Sequence, residues 1–471
     1  MTTPAAVLGP GGHRVRPRAL PTRGARRRTA MVLVALLAAF LATRVVPVVL
    51  TLQPQLYGPD VSNPAGDVGR YAAWGTAAIG HGLVPYRDFD VEYPPGALPF
   101  VLVPAVVGGG TFSAPVFVGL LVAVDLAAFL LLVAWARRGG SRVGAVAWLV
   151  LPPALGVLLY GRLDLLPAVA LLAALERAHA RRWTSSGVWL GLGAAAKLVP
   201  GVFLPVLLVA AGRGRWRLLA GAATGAGVAW LPYAADTPEL WHDVIGYHVA
   251  RGVHLESLWG SLLNLVRLRG APITLLYEHG AFGITGAGAG GMLVASAALV
   301  VGLVVAATAV AVVRWHGRPW RARVELAVAV TATMALLLAT TRVFSPQFVV
   351  WLLAAAAAAL AVTPCLWRWL LPALAAVVAL TVLEYPLGFD LLRKGEMWPA
   401  LALVARNVVV LAVGVACTVR WLRPRGDPWH DGAAGGAGSS DVRGGWRSAT
   451  FPLRSGTHHA VMPRTQGGGA L

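Results

Sequence analysis

The sequence predicts an all-α polytopic membrane protein, a bundle of about twelve transmembrane helices, and three observations lead there. Hydrophobic residues make up 57% of the 471 and charged residues only 13%, with a mean hydropathy of +0.68. Apolar runs long enough to cross a bilayer recur along the chain. Arginines gather in short tracts that flank these runs, where cytoplasmic turns are expected. The formal charge of +20 therefore reports topology, and no nucleic-acid partner is implied. Cys365 and Cys417 fall in or beside apolar runs, with no Cys or His at zinc spacing, so they read as small core residues.

Each element follows from the placement of arginine. A basic tail, residues 1–30, is expected to be cytoplasmic and disordered, and Met31 to Leu52 reads as a signal anchor. An acidic first external loop, 53–113, carries short interfacial helices, among them Gly96 to Val107, which is too short for a full crossing. Ala114 to Trp135 then runs inward to Arg137-Arg138, Val143 to Leu159 outward, and Leu163 to Ala178 back to Arg181-Arg182. The stretch Ser186 to Ala211 is basic at both ends, so it must cross twice or not at all. Pro200 removes a backbone donor and biases Val199 away from helix, which predicts two short helices meeting near Lys197.

Leu218 to Pro232 leads to a second external region, 235–282, and Gly291 to Val313 returns to the basic turn Arg314 to Arg323. Val324–Thr340, Phe348–Val362, Leu366–Val382 and Pro399–Trp421 complete the transmembrane domain, 31–422. Residues 423–471, rich in Gly, Ser, Arg and Pro, are expected to form a disordered cytoplasmic tail.

This topology sends the unusual polar residues to the outer face. Asp67, following Pro64-Ala65-Gly66, is either the N-cap of a short helix or a general base. In that helix Asp67, Arg70, Trp74 and His81 share one face and Val68, Tyr71, Ala72 and Ile79 another, one of them on lipid. Asp88, Asp90 and Glu92 alternate with Phe89, Val91 and Tyr93; if extended they show one acidic edge, fit for sugar hydroxyls or, less favoured, a divalent cation. Tyr93-Pro94-Pro95 reads as a rigid entry into the next helix.

Lys197, one of only two lysines with Lys394, is a point-charge donor suited to phosphate or an interface anchor. His248, Arg251 and His254 form a second cationic group, and Arg342 before Ser345-Pro346-Gln347 a third; Arg162, Asp164, Glu384 and Asp390 join them on this face. Their convergence on one side favours a lipid-phosphate site. Asp125, in mid-span, must be paired or hydrogen-bonded within the bundle.

Asp67-Val68-x-x-Tyr71, the Pro85-Tyr86 to Tyr93-Pro94-Pro95 loop, Lys197-x-x-Pro200, and Ser345-Pro346-Gln347-Phe348 ahead of Trp351 together resemble glycosyltransferase family 87, within the GT-C class of membrane enzymes. The resemblance covers Met31 to Trp421 and departs at Gly161-Arg162, where the family often has Gly-Gln. It implies a bacterial plasma-membrane enzyme of GT-C-like architecture with an extracytoplasmic active site. Such an enzyme moves mannose or arabinofuranose from a polyprenyl-phosphate sugar donor, a membrane lipid, to a glycolipid or glycan acceptor. It implies Asp67 as the catalytic residue. On the residues themselves, Lys197, Arg251, Arg342, His248 and His254 are assigned to the donor phosphate, and Asp88, Asp90, Glu92, Tyr93 and Gln347 to sugar or acceptor, with no metal and no resident cofactor assigned. The rival reading is a lipid or solute transporter, for which repeated halves and polar residues on both faces are expected; the sequence displays neither.

Overall fold

The computed structural model describes residues 23–59, 61 and 65–423. Both tail readings, apart from residues 23–30 and 423, lie outside those residues. The described chain is an all-α membrane protein with one small sheet. Six helices are long and apolar enough to cross a bilayer: Val34–Leu52, Ala114–Arg137, Ala289–Trp315, Pro319–Thr340, Pro364–Leu387 and Met397–Leu422. Shorter ones lie between them, including Leu165–His179, Trp183–Ala196, Leu204–Ala211, Arg215–Trp230 and Val349–Val362.

Two helices form the centre. Val349–Val362 is almost wholly buried from Val349 to Ala361, and Pro319–Thr340 packs beside it. A helix that is apolar all round belongs in such a place. Small residues let a second pair approach closely. Gly187 and Gly191 of Trp183–Ala196 face Gly221 and Gly225 of Arg215–Trp230, and a Cβ at Gly187 would stand 2.0 Å from the Leu218 carbonyl oxygen. Spacing small residues by four on both helices creates this groove. The same helix ends at Lys197, where the backbone becomes extended before the turn Val199–Phe203, so the break expected near Pro200 is present. Gly96 seats the neighbouring loop on that end, since a Cβ there would lie 2.7 Å from the Ala195 carbonyl.

Asp125 is fully buried and satisfied. It accepts from Arg44 Nε at 2.9 Å and Nη2 at 3.2 Å, from Trp148 Nε1 at 2.7 Å and from the Tyr160 hydroxyl at 2.6 Å. Arg44 also donates to the Trp148 and Leu149 carbonyls. One polar knot thus joins the first helix, the helix Ala114–Arg137 and the 143–160 segment. At the other side Arg406, also fully buried, donates to Glu384 Oε2 at 3.1 Å and to the Glu256 carbonyl at 2.5 Å, tying Met397–Leu422 to the 254–257 segment.

The second external region departs from an all-helical reading. It holds a three-stranded antiparallel sheet in the order β1-β3-β2, with β1 Val253–His254, β2 Ile273–Glu278 and β3 Ala281–Gly286. His279 and Gly280 make the two-residue turn, with φ of 50° and 70°. Positive φ at both positions is the hairpin turn whose twist matches the strands.

Three local expectations around the first loop are corrected. The helix Gly66–Gly75 has Ala65 at its N-cap, and Asp67 sits inside the first turn with no capping hydrogen bond. The chain then widens into a π turn over Thr76–Gly80, which carries His81 off the face of Asp67 and Arg70. Tyr71 points inward, fully buried, with its hydroxyl 3.1 Å from that of Tyr93, and Trp74 packs on the same two rings.

Replacing Arg44 by Met strands a buried carboxylate, for which a loss of about 3–5 kcal/mol is expected. A lowered thermal midpoint of the detergent-solubilised protein checks this, and the double variant Arg44→Met with Asp125→Leu should recover part of the loss.

Candidate active site

The polar residues of the outer loops converge on one cavity of about 720 Å³. Asp67, Glu92, Tyr93, Lys197, His248, Arg251, His254, Arg342 and Gln347 all line it. Asp88 and Asp90 do not. Residues Pro85 to Phe89 form a tight turn, with Tyr86 at φ 70° and its amide donating to the Phe89 carbonyl. The turn breaks the alternation, so the three acids share no edge. Asp88 is spent on the Val84 amide at 2.7 Å and on Arg87, and Asp90 is exposed. Among the described residues no group of three or more His, Cys, Asp or Glu is arranged to hold a metal ion.

Most charges at the cavity come in pairs. Arg162 Nε lies 3.1 Å from Asp67 Oδ2, and Lys197 Nζ donates to Asp164 Oδ1 at 2.7 Å. Both Arg162 and Asp164 are buried and belong to one turn, Gly161 to Asp164, that opens the helix Leu165–His179. Lys197 also faces the rings of Tyr93, Phe348 and Trp351 at 4.6–5.3 Å, the last two stacked at 4.0 Å. Arg70 pairs with Glu92 at 2.5 Å; burial pushes the Glu92 carboxyl up, and Arg70 opposes that. The hairpin tip closes on this group. Gly280 lies so near Arg70 that a Cβ would stand 2.4 Å from Nη2, and the Tyr247 hydroxyl donates to the His279 carbonyl.

Arg251 and Arg342 are different. Among the described residues neither forms an ion pair with a carboxylate. Arg342 donates to the His248 and Val249 carbonyls at 2.9 and 3.1 Å, and burial together with Arg251 pushes its guanidinium down. His248 is pushed down to about 4, by burial first and then by Lys197, Arg251 and Arg342. His254 is held well below its ordinary value by burial and by Arg251, while burial and Glu384 raise Glu256. His254 Nε2 lies 3.2 Å from Glu256 Oε2, a contact that is an ion pair only with the imidazole protonated. The cavity lining thus holds two guanidiniums, Arg251 and Arg342, without a carboxylate partner among the described residues.

Sequence reasoning placed Arg162 and Asp164 on this face, and Arg70 on the helix face of Asp67, without giving them a role, and passed over Tyr385 and the hairpin. Two signals were available: a charged Arg-x-Asp turn between two apolar runs, and His279-Gly280 between two six-residue runs.

A helical membrane protein with a carboxylate and unpaired guanidiniums in one cavity has the outline of a group-transfer enzyme acting beside a bilayer. The model of glycosyltransferase family 87 matches residues 92–346, more than half of the chain, and the chain belongs to that family. It is thus a membrane glycosyltransferase. The matched segment includes Glu92, Arg162, Lys197, Arg251 and Arg342 but begins after Asp67. No curated protein matches the chain.

Because Lys197, Arg251 and Arg342 add to burial in lowering the His248 pKa, Arg251→Gln should raise it from about 4 part of the way toward the ordinary 6.5, followed by NMR titration of labelled imidazoles. The sign for stability follows. An unfolded chain binds this proton first, so the contribution of His248 to stability is present above about pH 6.5 and falls as pH drops toward 4.

Proposed function

We propose that this glycosyltransferase takes mannose or arabinofuranose from a polyprenyl-phosphate donor and transfers it to a glycolipid or glycan acceptor on the extracytoplasmic side of a bacterial plasma membrane, within a GT-C-like bundle of about twelve spans. The observation that carries the reading is the unequal pairing in the cavity. Arg251 and Arg342 lack carboxylate partners, while Asp67, although beside Arg162, accepts no hydrogen bond among the described residues. Its lone pairs are open to an acceptor hydroxyl.

The chemistry is a single displacement with inversion. The acceptor oxygen bonds to the anomeric carbon as the bond from that carbon to phosphate oxygen breaks, the hydroxyl proton passes to Asp67, and the lipid phosphate leaves as an anion. Arg251 and Arg342 neutralise the charge that grows on the phosphate, with Lys197, His248 and His254 around it. Glu92, Tyr93 and Gln347 are assigned to sugar or acceptor hydroxyls. Asp88 and Asp90, outside the cavity, have no part in this assignment.

Purified protein incubated with labelled polyprenyl-phosphate sugars should release lipid phosphate. Asp67→Asn should lower turnover by about 10²–10⁴-fold while the protein stays folded, the range for loss of a general base. Full turnover in that variant overturns the role. Arg251→Gln and Arg342→Gln should each raise the donor KM by roughly tenfold or more, as expected for a lost charge-assisted hydrogen bond.

A further inference from the structure

Asp67 projects from the first turn of a ten-residue helix without a cap bond, and its carboxylate accepts no hydrogen bond among the described residues. A base must nevertheless meet the hydroxyl proton at hydrogen-bond distance, so something has to hold its side chain. The neighbour in contact is Arg162, whose Nε stands 3.1 Å from Oδ2. The Nε–H is not aligned on that oxygen as a hydrogen bond, so the carboxylate is held by charge and its lone pairs remain open.

Arg162 is itself anchored. It is 7% exposed, and its Nη2 donates to the Tyr385 hydroxyl at 3.2 Å. The guanidinium is thus fixed between the Gly161–Asp164 turn and the end of the 364–387 helix, two elements far apart in sequence. The other charges facing Asp67 are committed elsewhere: Arg70 to Glu92 at 2.5 Å, and Asp164 to Lys197 at 2.7 Å. The phenols of Tyr71, Tyr93, Tyr247 and Tyr385 complete the surroundings and are uncharged through the neutral range.

We infer that Arg162 is the positioning residue of the catalytic base: it aims the Asp67 carboxylate into the cavity, and it is not a ligand of the donor phosphate. This rests on the reading of Asp67 as base. Its charge is matched by a carboxylate, unlike the charges of Arg251 and Arg342, so it contributes little to the field that attracts an anion.

The test uses the full chain in detergent with a labelled polyprenyl-phosphate sugar, comparing Arg162→Gln, Arg162→Lys and Tyr385→Phe. Arg162→Gln should lower kcat by about 100-fold, the scale of a misplaced reacting group, with donor KM within about threefold. Arg162→Lys keeps the charge but not the planar fork, so kcat should recover only in part. Tyr385→Phe should lower kcat about three- to tenfold, the effect of one lost hydrogen bond, with KM unchanged; this variant and Arg162→Lys decide the matter if Arg162→Gln does not fold.

Wild-type kcat in these variants, or a raised donor KM with kcat intact, would overturn the inference. A fully active Asp67→Asn removes the base reading and this inference together. An inactive Asp67→Asn beside an unaffected Arg162→Gln removes the inference alone.

Discussion

Two crossed ion pairs, Asp67 with Arg162 and Asp164 with Lys197, are the constraint on which the site depends. A carboxylate or a guanidinium at the edge of a bilayer is expensive unless another charge meets it. One turn supplies a cation to the first pair and an anion to the second, two residues apart, so neither pair survives displacement of the turn. The rest of the architecture can be understood as holding the two other partners, Asp67 and Lys197, against it. The glycine-faced helix pair ends at Lys197, Gly96 seats the Tyr93 segment on that end, and Tyr71 and Tyr93 brace the helix that carries Asp67.

Pairing also explains what is left over. Once Asp67, Asp164 and Glu92 are matched to Arg162, Lys197 and Arg70, Arg251 and Arg342 remain without a carboxylate partner among the described residues; burial first and then Lys197 and these two guanidiniums depress His248, and burial and Arg251 depress Arg342. A folded protein tolerates such an excess where a ligand will supply the missing charge. Lys197 is the instructive case. Its isolation in an arginine-rich sequence suggested phosphate, yet its ammonium already donates to Asp164 and faces three rings. It offers a phosphate fewer free donors than Arg251 does.

The helices were legible because burial in lipid leaves a coarse signal: apolar runs bounded by arginine, and a proline where Ser186 to Ala211 has to break. The same placement of arginines grouped Lys197, Arg251, Arg342 and Asp67, which line one cavity. Contacts were not legible. Arg162 and Asp67 are 95 positions apart, and nothing local marks either as the partner of the other. The acidic run failed differently, since alternation implies one edge only if the chain is extended, and Tyr86 at positive φ folds it into a turn. The hairpin was hidden by an expectation of helix, although His279-Gly280 carried the turn chemistry.

The separation of roles proposed for the cavity has a physical reason. A base has to stay anionic until it takes a proton, and a phosphate site has to stay cationic until its anion leaves; placed together without partners, each would neutralise the other. Under the proposed assignment Arg162 lies between these demands. By matching Asp67 itself, it would free Arg251 and Arg342 from doing so, and the carboxylate would not be drawn toward them. The fold brings Arg162 from the Gly161–Asp164 turn and Arg251 and Arg342 from the 248–254 segment and the loop before Ser345, so that the two groups are fixed by different elements.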